Sequence, residues 1–417
     1  MVRMLVNMIE VKQYFDAPPA IDFRKAIHEE LDRVGIKSII KPSSRVAITA
    51  GSRGITHISD ILKCVVEEVR EAGGKPFIIP SMGSHGGATS DGQIRVLSDL
   101  GIREDYVNAP IEPTMEVKEV GKLDNGKPVY VSKAALGADS IIVVGRVKPH
   151  TDFKDEIESG LMKMMVIGLG KQRGAQTLHS NGQYGYHKML VPTARMIMER
   201  SPVKLGIAIV ENQYHQPAII KALKPNEIES EEKRLLKISK EWMMEIPFKN
   251  LDILIVEKMG KNISGTGMDP NVTGRFVFAD EKPKDSPNIR LVIALDLTKE
   301  TEGNAIGLGL ADIITKRLFD KINYNDTYMN ALTAGLVGAL GVKIPPIIPT
   351  DKDAVELALT LLDKHDGSAR IMRIKNTLEL ATFHVSEALL DEVKSNSKLE
   401  QIGEPAGIQF DILGNLI

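Results

Sequence analysis

The stretch DSIIVVGRVKPH (residues 139–150) joins the two features on which the fold and the chemistry of this chain depend. It begins with a continuous apolar run, which is typical of a strand buried on both faces of a parallel sheet. Glycine, basic residues and a proline follow, so the run ends in a loop. RVAITA (45–50), KPFIIP (75–80) and LGIAIVE (205–211) repeat this pattern. The sequence therefore predicts a sheet of parallel strands.

Segments with helical spacing alternate with these strands, and this alternation predicts an α/β fold with mostly parallel sheets. The second half of the chain shows the same alternation. Helices are predicted over 22–34, 56–72, 90–100, about 305–320 and 325–340, with further strands over 251–257 and 291–297.

A highly charged helix followed by PFKN separates the two halves near residues 225–250. We expect two α/β domains with an active-site cleft between them. The N-terminal domain is predicted over 1–247 and the C-terminal domain over 248–399, with residues 400–417 packing on the first domain.

Composition excludes several classes of protein. Lys and Arg number 53 against 55 Asp and Glu, and aromatic residues make up 5% of the chain, so neither a basic field nor a stacking platform favours nucleic acid as a partner. The single cysteine, Cys64, excludes an intrachain disulfide. Glu10 and Lys12 interrupt the first apolar run, and no run is long enough to span a membrane. We therefore expect a cytoplasmic protein with no membrane partner, and a homodimer is one candidate assembly.

Three loops that follow predicted parallel strands carry candidate site residues. Arg53 lies in GSRGI, His85 lies in GSHGGAT with Gly86 and Gly87 behind it, and His150 follows a proline in RVKPH. Because active sites of α/β folds form outside the carboxyl ends of the strands, these loops are predicted to converge. An arginine suits a carboxylate or phosphate, and a histidine suits proton transfer near neutral pH. The alternative for Arg53 is a solvated loop residue, and that for His85 is an exposed histidine in a turn.

A fourth segment, GLMKMMVIGLGKQRGAQTLH, carries Lys163 and His179. Lys163 lies among apolar residues, where burial would favour covalent or nucleophilic use, although its stem could equally carry the ammonium to solvent. His179 alone is a weak metal signal. GLGKQRG differs by one residue from the dinucleotide fingerprint and has no clear strand before it, so an NAD(P)-dependent dehydrogenase stays as an alternative.

Together these segments resemble the lactate racemase family, which uses a nickel-pincer nucleotide. The specific likeness covers residues 50–180 and rests on Arg53, His85, His150, and on Lys163 and His179 sixteen residues apart. The interval between His150 and Lys163 is three residues longer than in the lactate enzyme, which indicates a divergent branch.

The resemblance implies a cofactor and a reaction. The cofactor is pyridinium-3-thioamide-5-thiocarboxylic acid mononucleotide nickel, tethered to Lys163 and ligated through nickel by His179, with Gly86 and Gly87 among the cofactor-binding residues. The implied activity is that of an isomerase, a racemase or epimerase that inverts the carbinol carbon of a 2-hydroxy acid by proton-coupled hydride transfer. His85 and His150 are the implied acid and base, and Arg53 would hold the substrate carboxylate.

The second half departs from the family pattern. The family's substrate-binding glutamine and lysine fall near Gly274 and Val277, which cannot perform those roles, so Lys261 or Arg275 is expected to replace them. Ala50 stands where the family has an acidic residue three positions before the arginine. We therefore expect a substrate other than lactate, such as a sugar acid, and a non-catalytic binder of the nucleotide stays as a further alternative.

Overall fold

The computed structural model describes residues 6–52 and 54–417, so Arg53 lies outside the described residues. The chain forms two compact units. The first, here the N-terminal unit, comprises residues 17–243 with 333–335; the second, the C-terminal unit, comprises the remainder of the described chain. Within the described residues, every helix is too short or too polar to cross a membrane.

The strands of the described chain are numbered in sequence order. They are β1 (Asn7–Gln13), β2 (Arg45–Ala50), β3 (Lys75–Pro80), β4 (Val117–Lys122), β5 (Pro128–Ser132), β6 (Ser140–Arg146), β7 (Val203–Glu211), β8 (Pro217–Leu223), β9 (Asn250–Val256), β10 (Asn288–Ala294), β11 (Ile313–Thr315), β12 (Ile347–Ile348), β13 (Ile371–Ile374), β14 (Thr382–Ser386) and β15 (Leu399–Gly407).

The helices are named by their bounds. The α-helices of four or more residues are Phe23–Val34, Ile36–Ile39, Ile58–Glu71, Ser90–Asp99, Glu104–Val107, Lys133–Leu136, Lys171–His179, Leu190–Arg200, Pro225–Glu241, Pro270–Thr273, Lys316–Phe319, Tyr324–Thr333, Leu336–Leu340, Asp351–Leu362 and Leu390–Ser395. Met164–Leu169 and Gly185–Met189 are π-helical.

The N-terminal unit is built on a five-stranded sheet in the order β3-β2-β6-β7-β8, in which only β8 is antiparallel to its neighbour. Alternate side chains of each strand enter different cores: Val46 and Ile48 pack on one face and Ala47 on the other. Both faces are covered, which explains why these strands read as continuous apolar runs. β4 and β5 form a separate antiparallel pair.

Helices Phe23–Val34 and Ile58–Glu71 contribute to the core on one face of this sheet. The other face is covered by Leu190–Arg200, Pro225–Glu241 and the segment from Leu161 to His179. The segment singled out in the sequence for Lys163 and His179 is therefore part of the layer that packs directly on the sheet.

The C-terminal unit is built on an eight-stranded sheet in the order β12-β11-β10-β9-β13-β14-β1-β15. The strands from β12 to β13 are parallel, whereas β14, β1 and β15 pair antiparallel. The α/β fold class is confirmed, and this second sheet is mixed rather than mostly parallel.

The structure differs from the sequence-based expectations at the ends of the chain. β1, expected in the first domain, pairs with β14 and β15 in the C-terminal unit, so residues 400–407 do not extend the first domain's core. Backbone hydrogen bonds to β1 place β15 in the C-terminal unit. The residues of β15 are mostly exposed, so the strand has no apolar run that the sequence could reveal.

The prediction of a helix over about 305–320 is also wrong. Leu308–Leu310 is a single 3₁₀ turn, β11 follows it, and only Lys316–Phe319 is α-helical. Ile313 and Ile314 are buried on opposite faces of the sheet, one in each core of the unit, so pairing with β10 overrides the helical spacing of the segment.

Candidate active site

Loops of the N-terminal unit leave its sheet at one common edge. β2, β3 and β6 run parallel, and the last residues of the first two, Ala50 and Pro80, lie opposite each other. The loops that follow these strands carry the segments predicted for Arg53, His85 and His150. The strand directions thus agree with the expected convergence, while Arg53 itself stays a prediction.

The His85 loop turns sharply into helix Ser90–Asp99. The His85 amide donates to the carbonyl of Met82 at 3.2 Å. Thr89, the residue before this helix, caps it by accepting the Gly92 amide at 3.1 Å. The extended backbone of Thr89 lets its hydroxyl reach that amide.

Gly86 and Gly87 differ in what their lack of a side chain permits. Gly86 has a φ of +66°, and a Cβ there would lie 2.4 Å from the backbone of Gly92. The turn itself therefore requires a glycine at position 86. Gly87 has a φ of +63° with open space around the position of a Cβ, so a role in cofactor binding has room there and stays a prediction.

The His150 loop is organised by Glu158, a carboxylate that is fully buried. Its Oε2 accepts the His150 amide at 2.7 Å, and its Oε1 accepts the Asp155 amide at 3.1 Å. Lys154 donates to the His150 carbonyl at 2.7 Å. A buried carboxylate with several donors of this kind fixes the backbone on both sides of the imidazole.

The imidazole of His150 is held in a defined state. Its Nδ1 accepts the Asp152 amide at 3.0 Å, so the neutral ring carries its proton on Nε2. Burial, followed by the charge of Lys163 and then those of Lys154 and His179, lowers the pKa of His150 well below its ordinary value. His150 is therefore neutral at pH 7, and the structure brings it together with both Lys163 and His179.

Lys163 ends a one-turn helix, Leu161–Lys163, that begins at a buried carboxylate. Glu232 of helix Pro225–Glu241 accepts the amides of Leu161 and Met162 at 2.8 and 3.1 Å through Oε2. Its Oε1 is buried with no hydrogen-bond partner, and burial raises the pKa of Glu232 to about 8. Lys163 is itself half-buried and is followed by the π-helical turn Met164–Leu169. π-helical turns are frequent at functional sites because they displace side chains from regular spacing.

His179 lies at the end of helix Lys171–His179 and meets the hydroxyl of Tyr186, with 2.5 Å between Nδ1 and Oη. Burial raises the pKa of Tyr186 well above its ordinary value, so this hydroxyl stays neutral. The ring of Phe153 stacks on Tyr186, with 4.5 Å between the centroids, and also contacts His150 at 4.6 Å. One aromatic cluster thus supports both imidazoles.

GLGKQRG does not form a nucleotide loop of the dinucleotide-binding type. Its first glycine, Gly168, lies inside the π-helical turn, and helix Lys171–His179 contains the last. The fingerprint requires a strand that turns into a helix, so the structure gives the dehydrogenase alternative no support.

Lys171, in the middle of that motif, is the most unusual residue the sequence did not single out. Its side chain is fully buried and its backbone adopts a φ of +54°. Nζ donates to the carbonyl of Pro80 and lies 3.4 Å from Oε1 of Gln93. Burial lowers the pKa of Lys171 to about 8.

Sequence reasoning also missed Glu158, Glu232 and Tyr186. Only Glu232 left a readable signal, because it occupies a position on the apolar face of its helix beside Ile228 and Leu235. An acid at such a position is costly to bury without a partner. The others lie in loops and irregular helices, where spacing carries no comparable information.

The two candidate substrate residues of the C-terminal unit lie at different edges of its sheet. Lys261 follows β9 at its carboxyl end, and its Nζ donates to Asn330 at 2.7 Å. Arg275 instead donates to carbonyls at the start of β10 and to Asp312 at 2.6 Å. Arg275 therefore braces the amino-terminal end of the parallel strands, and its expected substrate contact stays a prediction.

Among the described residues, no group of three His, Cys, Asp or Glu side chains is arranged to hold a metal ion. Lys163, His179 and His150 form the candidate cluster for function in the N-terminal unit, with the rings of Phe153 and Tyr186 packed against the imidazoles.

Comparison with known proteins gives a family match and a structural similarity. Residues 3–185 match the lactate racemase N-terminal domain. The fold is similar to that of the lactate racemase apoprotein from Thermoanaerobacterium thermosaccharolyticum, with a TM-score of 0.56 and 14% identity over 89% of this chain and 98% of that chain. No curated protein matches the chain.

Proposed function

We propose, from the premise that this chain is a lactate racemase-like protein, that it is a racemase or epimerase acting on a 2-hydroxy acid. The observation that carries the proposal is the proximity of His150 to Lys163 and His179, with the ring of Tyr186 in contact with both imidazoles. His150 lies in one loop, whereas Lys163 and His179 belong to another segment of the chain.

The residues present fit a tethered nickel-pincer nucleotide. Lys163 is half-buried whereas Lys171 is enclosed, so Lys163 is the proposed attachment point. When Nδ1 of His179 donates to the Tyr186 hydroxyl, Nε2 keeps the lone pair that a metal needs. A single protein ligand is sufficient when the cofactor supplies the remaining donors. When bound, this cofactor would supply the hydride acceptor and donor for the carbinol carbon.

The chain's own residues then handle the proton and the substrate. His150 is neutral and presents an N–H at Nε2, which suits donation to a substrate oxygen. His85, in the neighbouring loop, is assigned the complementary role of accepting the hydroxyl proton. The proton that leaves the hydroxyl must return to the oxygen when the inverted carbinol forms, so His85 is proposed to act first as base and then as acid. Neutral His150 is proposed to hold the substrate oxygen through its N–H without giving up a proton.

Two further residues are assigned to the substrate. Arg53 is proposed to bind the carboxylate through its planar fork. Lys261 is proposed to meet a polar group elsewhere on the substrate, because it follows the carboxyl end of β9 and already donates to the side-chain oxygen of Asn330. With Gly274 and Val277 where the family has polar side chains, a hydroxy acid larger than lactate is the proposed substrate class.

The test is the intact mass of denatured protein made in a host that synthesises the cofactor. A nucleotide-sized adduct is expected on the wild type and on Lys188→Ala, which removes an exposed lysine, and is expected to be absent from Lys163→Ala. A known lactate racemase loaded in the same host is the positive control. If the control carries an adduct and this chain does not, the tether and the proposed reaction are refuted.

A further inference from the structure

We propose that Lys171 is a positioning residue that fixes the loop carrying His85 to the segment carrying Lys163 and His179. The proposal rests on the proposed function in one respect only, the assignment of a proton-transfer role to His85. Its structural basis lies entirely within the N-terminal unit.

The side chain of Lys171 forms a bridge between two segments far apart in the sequence. Its ammonium donates to the carbonyl of Pro80, the last residue of β3, and approaches Oε1 of Gln93 at 3.4 Å. None of its surface is exposed. A buried ammonium is costly, so these acceptors must hold it in place.

Gln93 carries the connection onward to the His85 loop. Its Nε2 donates to the carbonyl of Gly83 at 3.1 Å and lies 3.4 Å from the carbonyl of His85. Gln93 is also fully buried. Lys171 orients the amide by occupying its oxygen, and the amide nitrogen is then directed to both carbonyls of the loop.

The same two segments approach each other closely beside this bridge. A Cβ on Gly83 would lie 3.0 Å from Ile167, and one on Gly168 would lie 2.9 Å from the carbonyl of Ser81. The left-handed backbone of Lys171, with its φ of +54°, is a conformation that L residues rarely adopt. Such strain persists where the surroundings over-determine it, and it clusters at functional sites.

Lys171 is therefore neither a tether nor a proton donor to substrate, because nothing can reach its amine. Its position explains why the motif GLGKQRG carries a lysine between glycines: the chain turns there so that one ammonium can reach the end of β3. The positions of His85 and of the segment with Lys163 and His179 are then set together.

The first test is site-resolved amide hydrogen exchange on Lys171→Met, which keeps the unbranched stem and removes the charge. Lys204→Met, which changes an exposed lysine on β7, is the matched control. We expect exchange in residues 81–92 to accelerate by about tenfold or more, with no change in helix Ile58–Glu71. A uniform acceleration across the unit, or none, would overturn the proposal.

Gln93→Leu provides a second route if Lys171→Met does not fold. It leaves the lysine in place and breaks only the link to the loop, so the same local acceleration in residues 81–92 is expected. If the loop stays protected in Gln93→Leu, the connection through the amide is wrong.

The second measurement separates positioning from general stability. In loaded protein, Lys171→Met is expected to keep the adduct on Lys163 while kcat falls by about tenfold or more and KM changes little, because a displaced base affects the chemical step. Unchanged kcat beside a loosened loop would refute the positioning role. Absence of the adduct from the wild type would instead refute the proposed function, and the exchange result would still decide how the loop is held.

Discussion

Glu232→Gln should make the stability of the N-terminal unit much less dependent on pH. In the wild type, Glu232 is fully buried, its Oε2 accepts two amides, and its Oε1 has no partner. Burial raises its pKa from 4.5 to about 8. Folding therefore draws a proton onto this carboxyl at neutral pH, and a glutamine of the same shape requires no such proton.

The sign and size follow from the two pKa values. Between pH 4.5 and 8 the folded chain binds a proton that the unfolded chain has released, so wild-type stability is highest below this window and falls as pH rises through it. Each pH unit is worth about 1.4 kcal/mol. From pH 5 to pH 8, the stability of Glu232→Gln relative to the wild type should rise by about 3 to 4 kcal/mol.

Urea unfolding at pH 5, 6, 7 and 8 measures this difference. Trp242 is the only tryptophan and directly follows helix Pro225–Glu241, so its fluorescence reports on the element that carries Glu232. Glu241→Gln, an exposed change on the same helix, is the control and should show little pH-dependent difference. If the Glu232→Gln difference is flat across this range, the carboxyl is ionised when buried and the reasoning fails.

Three further predictions follow from other residues. Because burial lowers the pKa of Lys171 to about 8, the unfolded chain binds one more proton than the folded chain between pH 8 and 10.5. The stability of the wild type relative to Lys171→Met should therefore rise by about 2 to 3 kcal/mol from pH 7 to pH 10, as measured by urea unfolding. A constant difference would contradict this. Tyr186→Phe removes the hydrogen-bond partner of His179, so nickel affinity of loaded protein, measured by competition with a chelator, should fall about ten- to a hundredfold; equal affinity would mean that the hydroxyl does not orient the ligand. Gly86→Ala should lower the free energy of unfolding by about 2 to 4 kcal/mol, because it adds both backbone strain and a clash with the backbone of Gly92. Gly87→Ala has the same sign of φ but open space around the new Cβ, so it should lower the free energy of unfolding by about 1 kcal/mol. Equal losses in thermal unfolding would argue against the clash.

The sequence predicted the central strands of the N-terminal unit well because burial on both faces of the sheet produces continuous, mostly apolar runs. The prediction for β2 agrees with the structure, and β6 forms within the stretch 139–150 as expected, since every position from Val46 to Ala50 and every position of β6 but the last is buried. β1 and β15 carry no such signal. β15 contains Glu, Gln, Gly and Pro along a mostly exposed edge, and only pairing with a strand nearly 400 residues away makes it a strand.

Some residues of the candidate site could be identified from the sequence and others could not. His150, Lys163 and His179 were identified from their motifs, and their roles stay predictions. The carboxylates of Glu158 and Glu232 were missed because they accept backbone amides, and a backbone amide is present whatever the side chain, so the sequence does not mark the partner. Lys171 was not singled out within GLGKQRG, because a lysine with a left-handed backbone cannot be distinguished in sequence from a solvated one.

The pairing of β1 with β14 and β15 has a consequence during synthesis. A chain made from its N-terminus produces residues 7–13 first, yet their partners at Thr382–Ser386 and Leu399–Gly407 emerge about 370 residues later. At bacterial to eukaryotic elongation rates this interval lasts roughly 20 to 75 s. Within that interval the N-terminal unit can fold on the ribosome while β1 waits unpaired, so Met8, Ile9 and Val11, which are buried in the finished structure, stay uncovered until the end of synthesis.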